Sequence, residues 1–151
     1  MLRLRAADES DVPVIFELIG ELADYERLRA QMVGSLDNLR RHLFGEPRFA
    51  HVLMAAWNDK VAGFALYFFN YSTFLCQPGL YLEDLYVRPE FRGRGVGLGL
   101  LRSLEQRARD MGCGRLEWAV LNWNQSAIDF YREFGAQPHD GWTLYRKLLS
   151  R

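Results

Sequence analysis

The sequence predicts one mixed α/β domain over residues 1–151, a mostly antiparallel sheet with one parallel strand pair. Three observations predict it. Apolar residues recur at helical spacing early in the chain, the period changes to that of strands in the middle, and a strand–glycine turn–helix–strand unit follows. That last unit implies parallel strands beside an antiparallel hairpin region.

Leu2 to Arg5 alternates apolar and basic residues and reads as a first strand. Asp8-Glu9-Ser10-Asp11 opens a helix, with Pro13 in or near its first turn and Val12, Ile15, Phe16, Ile19, Leu22 and Ala23 along its apolar side. Ser35 opens a shorter helix bearing Leu36, Leu39 and Leu43. His51–Trp57 and Val61–Asn70 are apolar runs joined by Asn58-Asp59-Lys60, a hairpin signal. A loop containing Gln77-Pro78-Gly79 precedes a third run, Leu80–Val87. Leu98, Leu101, Leu104, Ala108 and Met111 then mark an amphipathic helix stopped by Gly112-Cys113-Gly114. Arg115–Leu121 reads as a strand, Ser126–Phe134 as a helix and Trp142–Leu149 as a last strand.

With 49% hydrophobic and 25% charged residues the composition supports a packed globule. Lys+Arg and Asp+Glu balance at 19 each, which disfavours a nucleic-acid partner. No apolar run reaches the ~18 residues that span a bilayer, so no membrane role is expected. Two cysteines do not make a disulfide framework, and the N-terminal residues lack a signal peptide's apolar block; a cytoplasmic location is the default. His42, His51 and His139 have no metal-ligand spacing with the cysteines or each other, so no metal is expected.

The most informative stretch is Arg92-Gly93-Arg94-Gly95-Val96-Gly97 between a strand and a helix. Glycines let the backbone approach a ligand, and amides at a helix start attract anions. Arg92 and Arg94 add charge for phosphate oxygens. The spacing fits neither a dinucleotide fingerprint, since Leu98 and Leu100 fall where a last glycine belongs, nor a nucleotide-hydrolysing loop. A pyrophosphate grip remains.

This turn matches the R/Q-x-x-G-x-G/A signature and resembles the GCN5-related N-acetyltransferases (the GNAT superfamily). Tyr81-Leu82-Glu83-Asp84-Leu85-Tyr86-Val87 before it, and Trp123-Asn124, Ala127-Ile128-Asp129-Phe130-Tyr131 and Gly135-Ala136 after it, match in order and spacing. Tyr25-Glu26, residues 65–74 and Gly141-Trp142 are most similar to the diamine branch, which acetylates spermidine, spermine or thialysine. The resemblance implies a GNAT fold with helices on both sheet faces and the parallel pair around the coenzyme A site. It implies acetyl-CoA as cosubstrate, a bulged strand whose Leu85, Tyr86 and Val87 meet it, coenzyme contacts at residues 92–97 and Asn124, and a homodimer. It makes Tyr131 the group that meets the leaving thiolate.

Acetyl transfer needs a neutral amine, yet with a pKa of ~10.4 only about one amine in a thousand is neutral at pH 7. Glu83 is the expected general base, acting through water, with Asp84 nearer the amine's charge. On a regular strand these two would point to opposite faces unless a bulge intervenes. A phenol at pKa ~10 is a weaker acid than a thiol at ~8.5, so hydrogen bonding to the thiolate suits Tyr131 better than full proton transfer. Glu26 is expected to hold a distal ammonium, with Tyr25 and Trp142 as aromatic walls. Pro138-His139-Asp140-Gly141 carries one acid where an extended polyamine would favour several, so a lysine-like or thialysine-like amine is as reasonable as spermidine. Two alternatives stand beside the small-amine enzyme: a protein N-terminal or lysine acetyltransferase of the same fold, and a non-catalytic coenzyme A-binding module.

Overall fold

The computed structural model describes residues 1–149, and Met1–Ala119 forms one compact unit. Its elements are β1 (Leu2–Ala6), α1 (Val12–Tyr25), α2 (Leu36–Phe44), β2 (His51–Trp57), β3 (Lys60–Ser72), β4 (Gln77–Val87), α3 (Val96–Asp110) and β5 (Arg115–Trp118). The sheet order is β1-β2-β3-β4-β5, antiparallel throughout except for the parallel β4–β5 pair. This is the mixed sheet the sequence predicts.

Local chemistry places each boundary. Asp8 accepts from the Ser10 amide and Asp11 from the Asp8 amide, so a single helical turn leads into α1 with Pro13 in its first turn. Arg5 clamps Asp11 through two bonds of 2.7 and 2.8 Å, tying β1 to that start. Ser35 caps α2 by accepting from Asn38 N–H. Asn58 and Asp59, at φ 48° and 67°, form the tight two-residue turn between Trp57 and Lys60. The α3 end closes with Cys113 N–H donating to Ala108 and Gly112 N–H to Arg109.

Two sheet faces carry two cores. Ile15, Leu18 and Leu22 of α1 and Leu43 of α2 pack against Val52, Met54, Phe64 and Tyr86. On the opposite face lies α3, burying Val96, Leu100, Leu101, Leu104 and Ala108. A Cβ on Gly99 would stand 2.7 Å from a Leu2 methyl, so this glycine serves helix-on-strand packing and not a ligand.

The second unit, residues 120–149 as described, holds α4 (Gln125–Glu133). Asn124 caps it, its Oδ1 accepting from Ala127 N–H at 3.2 Å. Two expectations need correction. Gln77-Pro78-Gly79 is not loop but the start of β4, paired with Ser72, Tyr71 and Asn70; the turn is the shorter stretch before it, where Cys76 takes a φ of 52°. The strand expected over 142–149 does not form, because none of those residues pairs with a neighbouring strand, and Trp142, Leu144, Tyr145, Leu148 and Leu149 are exposed.

Candidate active site

Strand β4 changes character along its length. Gly79–Leu82 pair with β5 on one side while β3 pairs on the other. The β5 pairing stops at Leu82–Trp118, so Asp84–Val87 keep β3 alone as a partner. Arg88 N–H donates to Ala62 on β3, and the alternation along the strand turns the main-chain groups of Leu85 and Val87 the other way, to the unpaired edge. An unpaired strand edge is a row of donors and acceptors ready for an extended ligand.

At the head of that edge sits a bulge. Leu66 pairs with Asp84 and Tyr67 with Leu82, so Glu83 has no partner on β3. The inserted residue breaks the strict alternation that would send Glu83 and Asp84 to opposite faces. Asp84 shares a face with Leu66, and Tyr81 with Phe68, whose rings lie 5.2 Å apart. Glu26, just past α1, joins them. Burial pushes the Asp84 carboxyl up to about 7, and the charges of Glu83 and Glu26 push the same way. Burial and the Glu83 charge also raise Glu26, and burial with Glu83 and Glu117 raises the Tyr81 phenol. Asp84 and Glu26, each pushed up by burial and by the Glu83 charge, form with Glu83 a site hungry for positive charge.

After β4 a short turn, Pro89–Phe91, leads into residues 92–95. Gly93 and Gly95 have φ of 76° and 79°, and Gly95 is the residue immediately before α3, which no side chain caps. The first-turn amides of α3 therefore lack both helical partners and a capping oxygen. That arrangement, with the Leu85 main chain and the Val87 amide facing away from β3 beside it, suits a diphosphate carrying an extended amide-bearing arm.

The two arginines of this turn do different things. Arg94 lies over the Trp57 ring at 5.4 Å. Arg92 donates its Nε to the Val87 carbonyl at 2.9 Å and lies over Tyr25 and Tyr86, 5.1 and 5.8 Å from their ring centres. Tyr86 departs from expectation as a ligand contact: its ring is buried in the α1–α2 core, and its hydroxyl donates to Glu21 at 3.1 Å. Sequence reasoning missed Glu21 altogether. It accepts from Arg88 at 3.0 Å as well, locking α1 to the end of β4. The i,i+4 spacing of Glu17, Glu21 and Tyr25 on α1 was the available signal.

In the second unit, Tyr131 lies on α4 beside Phe130, with ring centres 5.6 Å apart. Trp142 is 76% exposed and stacks on His139. Among the described residues, no group of three His, Cys, Asp or Glu side chains is arranged to hold a metal ion, and no helix is long and apolar enough to cross a membrane.

The acetyltransferase (GNAT) family matches residues 16–136. The chain belongs to it. Thialysine N-epsilon-acetyltransferase of Bos taurus is 41% identical over 95% of this chain and 90% of its own length. L-ornithine N5-acetyltransferase of Arabidopsis thaliana is 32% identical over 95% of this chain and 83% of its own. An integron cassette protein from the mobile metagenome of V. cholerae superposes with a TM-score of 0.81 at 27% identity, over 97% of this chain and 92% of that one. The protein is an N-acetyltransferase of the family that moves acetyl from acetyl-CoA to amines.

Proposed function

We propose that this acetyltransferase transfers acetyl directly from acetyl-CoA to a primary amine of a small cationic acceptor, a lysine- or thialysine-like molecule or a polyamine. The observation that carries the reading is the patch of Glu26, Glu83 and Asp84 gathered at the β4 bulge, where the unpaired edge begins. Relatives named for thialysine and ornithine support a small acceptor with a side-chain amine.

In this reading the coenzyme's diphosphate rests on the amides of Gly93, Gly95, Val96 and Gly97 with Arg94 beside them, and Leu85 and Val87 bond its arm through the main chain. Asn124 is kept as a coenzyme contact. The incoming amine arrives as an ammonium and is held by Asp84. Glu83 removes its proton through a water, since the lone pair must be free before nitrogen can attack the thioester carbonyl. Glu26 takes a second, distal ammonium against the Tyr25 ring, and Trp142 supplies a further wall. As the C–S bond breaks, the Tyr131 hydroxyl donates a hydrogen bond to the departing thiolate. Tyr131→Phe keeps the ring and is expected to lower kcat roughly 10- to 100-fold, the worth of a hydrogen bond to a charged group. An unimpaired variant removes the role. We place the activity in the cytoplasm and the protein in a homodimer.

The test is thiol release from acetyl-CoA over spermidine, putrescine, thialysine, lysine and a basic peptide. Turnover with one small amine well above background supports the proposal and selects the acceptor. Turnover with the peptide alone replaces it with protein acetylation. Silence across the panel, with acetyl-CoA still bound, overturns the acceptor assignment.

A further inference from the structure

The bulge on β4 does more than gather Glu83 and Asp84. Leu66 and Phe68, two residues apart on β3, share one sheet face, and their partners on β4 are Asp84 and Tyr81. Asp84 and Tyr81 therefore stand on that face together, about 7 Å apart along the strand. Across the parallel pair Tyr81 is matched with Glu117 on β5, which shares the face about 5 Å further on. Phe68, Tyr81 and Glu117 thus form one row over three strands, with the Phe68 and Tyr81 rings 5.2 Å apart. Burial raises the Tyr81 phenol, and the charges of Glu83 and Glu117 push the same way, so both acids act on this ring. Arg115 is placed to offset Glu117, yet its Nε stands 3.6 Å from the carboxylate, and the two side chains are 43% and 36% exposed. An ion pair that open contributes little, and it leaves the carboxylate lone pairs for another cation.

The acceptor face therefore carries an acid that the sequence reading did not find. A lysine-like acceptor presents two ammonium groups and a carboxylate, and a carboxylate among Glu26, Glu83, Asp84 and Glu117 meets like charge. A linear triamine presents cations alone. Resting on the acceptor reading above, we propose that Tyr81 and Glu117 seat a third cationic centre of the acceptor, which selects a linear triamine over a lysine-like amino acid. Asp84 and Glu83 meet the reacting end and Glu26 the next nitrogen. The far ammonium lies against the Tyr81 ring, with Glu117 as its counter-charge.

Four acceptors isolate the claim: spermidine, its two isosteres that each lack one terminal nitrogen (N-propylputrescine and N-butylpropanediamine), and L-lysine. Initial rates are measured for the wild type, Glu117→Gln and Glu117→Asp, with KM taken for amine and for acetyl-CoA. The wild type is expected to prefer spermidine over either isostere in kcat/KM by about 10-fold, between the worth of an exposed ion pair and that of a hydrogen bond to a charged group. L-Lysine falls below spermidine as well. Glu117→Gln brings the ratio of spermidine to isostere near one, Glu117→Asp keeps part of it, and the acetyl-CoA KM holds. Equal wild-type rates with spermidine and both isosteres overturn the inference and need no variant to fold. A wild-type preference for L-lysine also overturns it. So does a Glu117→Gln variant that slows every amine by one common factor, which leaves Glu117 a structural role. Failure of all four amines, with acetyl-CoA still bound, sinks the acceptor reading beneath it.

Discussion

The turn after β4 and the patch on the face of β4 are neighbours built from different material. The turn is made of main chain: Gly93 and Gly95 in left-handed conformations, an uncapped helix start and the edge where the Leu85 main chain and the Val87 amide face away from β3. The patch is made of side chains from two separate elements, Glu26 after α1 and Glu83 and Asp84 at the bulge, with burial and the Glu83 charge raising both Asp84 and Glu26. Backbone groups carry no titration and change little when a side chain is replaced. Carboxylates do titrate, and those of Asp84 and Glu26 respond to the charge of Glu83. The turn is therefore suited to the constant partner of the reaction, and the patch to the acceptor that distinguishes one family member from another.

The sharpest way to break this division is Glu83→Gln. It leaves the bulge and the turn in place and removes the proposed base, so kcat is expected to fall by about 10²- to 10⁴-fold, with the rate profile displaced to higher pH as the amine must shed its own proton. Acetyl-CoA KM moves much less. An unchanged pH profile ends the assignment, and an equal rise in coenzyme KM shows that turn and patch are not separable.

Most of the turn was legible in the sequence because backbone requirements are written locally: glycines at 93 and 95, a helix beginning at Val96, a hairpin at Asn58-Asp59. The patch was legible only in part. The bulge was implied by the family resemblance and not by the residues Leu82-Glu83-Asp84 themselves, since the register is set by how β3 and β4 settle against their two cores. The fate of Arg92 was hidden for the same reason. Its charge fits a phosphate turn, and only the packed position of Tyr25, distant in sequence, together with Tyr86 sets it over two rings. Glu21 and Arg88 meet across a similar gap in sequence.

A second test sharpens the electrostatic side. Asp84 ordinarily ionises near 3.8, and burial with Glu83 and Glu26 lifts it to about 7. The folded state binds the proton more tightly than the unfolded chain, so this group's contribution is fully present below pH ~4 and is lost as pH rises to about 7. A shift of about three units corresponds to about 4 kcal/mol. Asp84→Asn, which cannot ionise, is expected to match the wild type near pH 4 and exceed its stability by up to about 4 kcal/mol at pH 8, read from urea unfolding at several pH values. The same variant is expected to bind amine more weakly. Parallel stability curves for the two proteins would show that Asp84 is solvated, and the acidic patch would lose its most strained member.

The smallest effect probes the turn. Gly95 holds φ 79° with open space where a Cβ would stand, so Gly95→Ala meets no clash and carries only the backbone's own penalty. For a residue with a Cβ that conformation costs about 1–2 kcal/mol. If the turn binds through its amides, the strain appears where those amides are used. Acetyl-CoA KM is expected to rise about 10-fold while the preference among amines stays as it was, because no side chain of the patch has moved. A change in acceptor preference with unaltered coenzyme KM would mean the turn shapes the patch, and that the two halves of β4's surroundings act as one.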